Sequence, residues 1–203
     1  MPSSRTHTEL LPPEVTWRLS APLSKRSWRV LPRSCASFGL WCPGRDLRIT
    51  GDHDHQFTVQ SISKLLLYGL ALETHGREAV LERVGVAPTG NLFNAIELDE
   101  QRHRAPNPMV NSGAIAITDM VGGSREERIE AIAAMFGQYL GRRPEIDEAV
   151  WKSERATGNR NRAIAYLLLS QGIIENRVEG TLDVYFAQCS VLVSARDLAM
   201  IGA

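Results

Sequence analysis

The stretch "TVQSISKLLLYG", Thr58 to Gly69, places Ser61 and Lys64 at the start of a strongly apolar segment. Apolar side chains then continue around much of the helical circumference, which predicts a buried helix over Val59–His75. A serine and a lysine three residues apart lie on one face of such a helix, within reach of each other. The spacing therefore predicts that both side chains meet at the N-terminal end of a core helix.

This serine and lysine pair has a chemical interpretation and a purely structural one. A lysine can activate a serine hydroxyl when burial and nearby charge keep part of it as the neutral amine. Free backbone N–H groups in a first helical turn favour an oxyanion, so the geometry suits acyl transfer. The S-x-x-K spacing also occurs in penicillin-recognising enzymes. A serine near a helix start is often only an N-cap, however, and Ser63 has no evident chemical partner.

The composition is that of an ordinary globular chain of 203 residues with no net charge, which predicts one or two domains. The longest apolar runs are well short of the roughly 20 residues that a bilayer span needs, so we expect no membrane helix. The N-terminus has none of the features of a secretory signal, and we expect a cytoplasmic location. Cys35, Cys42 and Cys189 show no CxxC spacing, which predicts reduced thiols, no disulfide framework and no zinc site.

Residues 1–50 differ in composition from the rest of the chain. They hold eight Lys and Arg against three Asp and Glu, six of the ten prolines and three of the four tryptophans. Because the prolines interrupt any helix or strand that would present the charges together, we expect little regular structure and no nucleic-acid binding. The segment has two interpretations. It is either a solvated arm or a stretch translated out of its original reading frame.

Beyond that segment the sequence predicts one hairpin followed by helices. "LRITGDHDHQFTV" predicts two extended pieces joined by a Gly-Asp turn, with the histidine pair His53 and His55 in the exposed turn rather than in a metal site. Ser124 and Glu127 form a capping box that begins a helix ending at Gly141. Further helices are predicted in "REAVLERVG", "EIDEAVWKSERATG", "NRAIAYLLLSQG", "TLDVYFAQC" and "SARDLAMIGA". Such a helical layer with scarcely two strands predicts an incomplete sheet.

Three downstream blocks add polar side chains. A carboxylate can bind an ammonium group, and amide N–H groups can bind a carboxylate, so together they suit a zwitterionic amino acid. Each residue taken alone is also explained by a cap, a loop hydrogen bond or a core position. The residues in question are Asn107, Asn111, Glu154, Asn161, Asp183 and Tyr185.

The blocks "QSISK", "NPMVNSGAI", "SERATGNRN" and "LDVYFAQCS", in this order and at these intervals, resemble the serine-dependent glutaminases. The resemblance covers residues 51–203. It implies an α+β fold of the β-lactamase/transpeptidase type, represented here mostly by the helical subdomain with an incomplete antiparallel sheet. It also implies two domains of sequence, an atypical segment 1–50 and a partial glutaminase domain 51–203.

The resemblance also implies a reaction and its residues. Ser61 corresponds to the nucleophile and Lys64 to its base, and the substrate-binding residues would be Ser61, Asn111, Glu154, Asn161 and Tyr185. The implied reaction is hydrolysis of L-glutamine to L-glutamate and ammonia through a serine ester. Neither a metal nor an organic cofactor is implied. A homo-oligomer, dimer or tetramer, is expected, without nucleic acid or membrane.

The sequence departs from the family pattern at both ends. No tyrosine precedes Tyr68, although family members carry an N-terminal tyrosine that reaches the site. Family members also continue beyond the point at which this chain stops, so we expect a missing wall, a water-exposed Lys64 that stays protonated, and reduced activity. The alternatives to an active glutaminase are an inactive remnant that acts as an interaction module and a penicillin-recognising serine hydrolase.

Overall fold

The computed structural model describes residues 37–40, 48–96, 98, 103–175 and 177–202. Within these residues the fold is α+β, mostly helical with two small antiparallel sheets, which confirms the predicted class. In chain order the elements are β1 (Ser37–Leu40), β2 (Arg48–Gly51), β3 (Phe57–Thr58), a 3₁₀ turn (Gln60–Ile62), α1 (Ser63–Arg83), α2 (Asn111–Met120), α3 (Arg125–Leu140), α4 (Glu148–Thr157), α5 (Asn159–Ser170), α6 (Val178–Cys189), β4 (Leu192–Val193) and α7 (Ala195–Ile201).

The two extended pieces of the predicted hairpin do not pair with each other. β2 pairs with β1, with Gly51 opposite Ser37, and β3 pairs with β4, with Phe57 opposite Val193. The predicted hairpin is therefore wrong. Its second strand pairs with a distant segment because this buries Val193 and Val59 completely in the core, and a local hairpin would leave their apolar surface in water.

Strands β1 and β2 lie at the end of the segment that the sequence sets apart as residues 1–50. Residues 1–36 and 41–47 lie outside the described residues, and the predicted lack of regular structure there stays a prediction. The turn between β2 and β3 holds His53, whose ring lies 2.9 Å from the Gly51 carbonyl and pairs with Asp54 at 3.1 Å. In the described part of the chain no three metal-ligating side chains cluster, and no helix is long and apolar enough to cross a bilayer.

Helix α6 lies at the centre of the helical layer. All of its residues from Thr181 to Cys189 are buried, and it packs against α2, α3, α4 and α5. Helix α1 packs on α2, and its helical geometry breaks at Gly76, where φ is +78°. This break confirms the predicted division into a helix up to His75 and a second short helix after it.

The predicted caps and glycines mark where the helices after α2 begin and end. Ser124 and Glu127 form the capping box that begins α3, and Gly141 ends this helix at a φ of +65°. Helices α4 and α5 meet at Gly158, where a Cβ atom would overlap the ring of Phe186. Only glycine therefore lets α4 turn directly into α5 over the surface of α6.

The loop before α2 approaches this helix closely, as its small residues predict. A Cβ on Gly113 would overlap the carbonyl oxygen of Asn107. The Asn107 side chain organises the loop, because its Oδ1 accepts from the backbone N–H groups of Met109 at 3.0 Å and Val110 at 3.2 Å. Its Nδ2 donates to the Ala87 carbonyl at 3.0 Å, so Asn107 is occupied by loop hydrogen bonds.

Candidate active site

Ser61 lies at the exposed tip of the 3₁₀ turn between β3 and α1. The turn is anchored by Val59, which is buried and donates its backbone N–H to the Val191 carbonyl at 2.8 Å. Within the described residues the Ser61 hydroxyl has no hydrogen-bond partner. The hydroxyl is thus presented to solvent at the N-terminal end of a core helix.

Lys64 lies one turn further on and is only 2 % exposed. Its Nζ donates to Asn111 Oδ1 at 2.7 Å and to the Met109 carbonyl at 3.2 Å. The ring of Phe93 lies 5.4 Å from Nζ. The expectation of a water-exposed lysine is therefore wrong, because the loop that leads into α2, together with Phe93, covers the amine.

Burial lowers the pKa of the Lys64 ammonium, and the charge of an ionised Cys189 would oppose this shift. Burial also raises the pKa of the Cys189 thiol to about 11, so near neutrality this opposing charge is absent. A neutral lysine amine has two N–H bonds and one lone pair. With the N–H bonds directed to Asn111 and Met109, the lone pair is left to accept a proton.

Asn111 and Asn161 extend the polar contacts of Lys64 across α2 and α5. Asn111 accepts from Lys64 through Oδ1, which turns its Nδ2 toward Asn161 Oδ1 at 2.9 Å. The Asn161 Nδ2 then has no partner among the described residues, and it remains a donor for a bound molecule. Three helices thus hold one hydrogen-bonded chain of an amine and two amides.

Tyr185 and Cys189 lie one turn apart on α6 and face the same region. Tyr185 is 3 % exposed, and burial raises the pKa of its phenol, followed by the effect of the neighbouring Cys189. The half-buried carboxylate of Glu154 on α4 is close enough to raise the pKa of both groups further. A carboxylate, a phenol and a thiol therefore lie near one another, and the thiol is also close enough to Lys64 to affect its pKa.

Asp183 does not join this group, although the sequence singled it out together with Tyr185. Its carboxylate pairs with Arg125 and, at 3.0 Å, with Arg155, and both guanidinium groups lie over the Trp151 ring. Side chains two positions apart on a helix point to nearly opposite sides. Asp183 therefore faces α3 and α4, and Tyr185 faces the side of α6 that carries Cys189. A cavity of about 600 Å³ opens beside Asp183. Its lining includes neither Ser61 nor Lys64, and no serine, threonine or cysteine.

Three residues at the site carried no role in the sequence-based prediction. Ser63 is fully buried, with its Oγ 4.0 Å from the Cys189 Sγ. Cys189 could have been found from its position four residues after Tyr185, which puts both on one helix face. Phe93 lies in an irregular loop, and no pattern in the sequence indicates that it reaches Lys64.

An exposed hydroxyl, a buried amine with a lowered pKa and a set of amide and carboxylate groups are suited to acyl transfer on a small polar substrate. The hydroxyl can attack a carbonyl carbon, and the amine can take and return its proton. The amide N–H groups can donate to a negatively charged part of such a molecule, and the Glu154 carboxylate can accept from a positively charged part.

Comparison with known proteins gives the same family as the sequence blocks. The family model Glutaminase matches residues 40–203, eleven residues earlier than the resemblance predicted. A glutaminase of Microcystis aeruginosa is 54 % identical over 154 residues, which is 75 % of this chain and 46 % of that protein. A glutaminase of Alkaliphilus metalliredigens is 45 % identical over 157 residues, covering 75 % of this chain and 51 % of that protein.

Solved structures agree with the fold. A Bacillus glutaminase superimposes with a TM-score of 0.78 at 38 % identity, covering 82 % of this chain and 57 % of that one. The glutamate form of Mglu superimposes with a TM-score of 0.75 at 37 % identity, covering 83 % of this chain and 38 % of that one. The chain spans about half the length of the curated relatives that it matches.

These similarities confirm the β-lactamase-like α+β fold and do not favour the penicillin-recognising alternative that rested on S-x-x-K spacing alone. The matched region includes Ser61, Lys64 and every other candidate site residue described above. The chain belongs to the glutaminase family.

Proposed function

We propose that this chain hydrolyses L-glutamine to L-glutamate and ammonia through an ester on Ser61. The observation that carries the proposal is the burial of Lys64, whose pKa is lowered and whose two amine hydrogens are directed to Asn111 and Met109. At a given pH a lysine in this state has a larger neutral fraction than a lysine on the surface, and only the neutral amine can accept the serine proton. Family membership supplies the substrate class.

The reaction needs only a proton transfer between Ser61 and Lys64. The Lys64 amine takes the Ser61 proton as Oγ attacks the side-chain carboxamide carbon, which gives a tetrahedral oxyanion. Lys64 then returns the proton to the departing nitrogen, and ammonia leaves a γ-glutamyl ester on Oγ. A water molecule attacks this ester, Lys64 takes a proton from the water, and the proton passes back to Oγ as L-glutamate is released.

Substrate binding is assigned to the groups around this pair. Glu154 would bind the α-ammonium group, and the amide N–H groups of Asn111 and Asn161 would bind carboxylate oxygens. Tyr185 would line the inner wall as a hydrogen-bonding phenol, kept neutral by its raised pKa. Support comes from similar structures of Mglu in its glutamate form and its L-glutamate binding form.

The test is ammonia release from L-glutamine by the purified protein, measured beside Ser61→Ala and Ser153→Ala. Ser153 is an exposed serine on α4, so its variant controls for the loss of a hydroxyl as such. We expect hydrolysis by the unaltered chain and by Ser153→Ala, and its loss in Ser61→Ala. Equal rates in all three proteins would remove the assignment of Ser61.

Further properties predicted from the sequence and from the family resemblance stay predictions. They are a cytoplasmic location, assembly into a dimer or tetramer, and catalysis without nucleic acid, membrane, metal or organic cofactor. The inactive remnant remains the alternative to an active enzyme, and a glutamine-binding measurement described below separates the two.

A further inference from the structure

Gln60, directly before Ser61, has a backbone conformation that non-glycine residues seldom adopt. Its φ is +49°, in the left-handed region where a side chain crowds the backbone. Only one other described residue that is not glycine, His103, shares this feature. Strain of this kind persists only where surrounding contacts hold it.

The contacts that hold Gln60 come from Ser63. The Ser63 hydroxyl, which is completely buried, donates to the Gln60 carbonyl at 2.7 Å, and the Ser63 backbone N–H donates to the same oxygen. Cys189 lies behind this hydroxyl, with its Sγ 4.0 Å from Oγ. The Gln60 carbonyl is thus fixed by two donors from one residue, which is itself wedged against α6.

Fixing this carbonyl also fixes the backbone N–H of Ser61. The peptide unit is planar and trans, so the Gln60 C=O and the Ser61 N–H point in opposite directions. With the carbonyl directed inward to Ser63, the N–H is directed away from the helix. In the described part of the chain this N–H has no partner, as expected for the first turn of a helix.

We infer that Ser63 is a positioning residue, which holds the strained Gln60–Ser61 peptide so that the Ser61 N–H and hydroxyl face the same reacting carbonyl. This inference rests on the proposed function of Ser61 as a nucleophile. The N–H would stabilise the oxyanion that forms when Ser61 attacks, and its direction would be set before the substrate arrives. Ser63 itself touches neither the substrate nor the reacting atoms.

Steady-state kinetics with L-glutamine test the inference, using Ser63→Ala and Ser190→Ala. Ser190 is a matched control, because its hydroxyl is equally buried and donates to a backbone carbonyl, that of Phe186, at 2.9 Å. We expect Ser63→Ala to lower kcat by about tenfold to a hundredfold with KM within about twofold, since a misdirected N–H weakens only the transition state. If the unaltered chain hydrolyses glutamine, a kcat in Ser63→Ala equal to that in Ser190→Ala would overturn the inference.

A second readout does not depend on glutamine. A fluorophosphonate reacts with an activated serine, losing fluoride as the Oγ–phosphorus bond forms, and intact mass reports the rate of labelling at Ser61. We expect Ser63→Ala to slow this labelling by about tenfold or more relative to Ser190→Ala. Equal labelling rates, or no labelling of Ser61 in the unaltered chain, would overturn the inference.

The two readouts separate this inference from the proposed substrate. Labelling that depends on Ser63, in a chain that does not hydrolyse glutamine, would reject the proposed function and support the positioning role. If circular dichroism shows that Ser63→Ala is unfolded, Ser63→Cys in a reducing buffer replaces it, because a thiol fills the space but donates weakly. An unchanged labelling rate in Ser63→Cys would then overturn the inference, and a slowed rate would support it.

Discussion

Lys64 is a residue whose chemistry depends on its surroundings. In water a lysine amine is almost wholly protonated at neutral pH, and burial changes this by penalising the charged form. The hydrogen bonds to Asn111 and Met109 are compatible with the neutral amine, which keeps its lone pair. Lys64 therefore combines a lowered pKa with a geometry that leaves one site for a proton.

We predict that kcat/KM for glutamine rises with pH between about 6 and about 10, with an apparent pKa below that of a lysine in water. The sign follows from the active form, because raising the pH increases the fraction of neutral Lys64. Lys64→Arg should abolish this activity, since a guanidinium does not deprotonate in a protein. Lys152→Arg, at an exposed lysine on α4, is the matched control and should keep both rate and profile. A retained rate in Lys64→Arg would contradict the role of the amine.

Cys189 predicts a pH dependence of stability. Its pKa is raised by burial to about 11, whereas an unfolded thiol ionises near about 8.5. The folded state therefore holds the thiol proton more tightly than the unfolded state does. This contribution to stability is fully present below the pKa of the unfolded thiol and is lost as the pH rises through the pKa of the folded one. The unaltered chain should therefore lose roughly 3 kcal/mol of unfolding free energy more than Cys189→Ala between about pH 8 and about pH 11. Urea unfolding at a series of pH values measures this difference, and parallel curves for the two proteins would refute it.

At the scale of elements, the α4–α5 junction sets the distance between Glu154 and Asn161. The two helices meet at Gly158 without a loop, because glycine alone leaves room for the Phe186 ring of α6. A Cβ there would also lie 2.7 Å from the Glu154 carbonyl oxygen, inside contact distance. The junction therefore couples packing on α6 to the position of two substrate-binding candidates.

We predict that Gly158→Ala destabilises the protein by about 2 kcal/mol or more, because the added methyl group overpacks against Phe186. Gly69→Ala is the matched control, since Gly69 lies inside α1 and a Cβ there meets no atom within 4 Å. Gly69→Ala should raise stability by about 1 kcal/mol through helix propensity. Thermal unfolding of the three proteins measures both effects, and equal shifts in the two variants would contradict the steric explanation.

Most helices could be predicted from local signals, but the strand pairing could not. The Ser124–Glu127 box and Gly141 mark helix ends through backbone geometry that the residues themselves impose. Strands β3 and β4 have only two residues each and are far apart in the chain. Their pairing follows from burial of apolar side chains in the assembled core, and no local pattern specifies that partner.

At the scale of the whole molecule, the site is assembled from α1, α2, α4, α5 and α6, with Phe93 from a loop. A ligand that binds the folded chain alone stabilises it, by about 2.7 kcal/mol at a hundred times its dissociation constant. Binding of glutamine can therefore be measured without turnover. A binding measurement therefore distinguishes a chain with a folded glutamine site from an inactive interaction module that no longer binds glutamine.

We predict that L-glutamine raises the thermal unfolding midpoint of the chain in a concentration-dependent manner. Glu154→Gln should abolish this shift, because the amide cannot pair with the α-ammonium group. Glu148→Gln, at an exposed carboxylate on the same helix, is the matched control and should keep the shift. Unfolding midpoints that do not respond to millimolar glutamine in the unaltered chain would favour the inactive alternative.

The sequence by itself determined the family and the helical pattern, and it predicts the pairing of Ser61 with Lys64, because spacing along a helix is a local property of the chain. It did not separate Tyr185 from Asp183, which lie two residues apart and face different neighbours. Only the tertiary structure decided that Lys64 is buried, that Phe93 and Cys189 lie beside it, and that Ser63 holds the Gln60 carbonyl. These facts depend on distant segments that meet in the core, and burial, which sets the pKa of an amine, exists only after they have met.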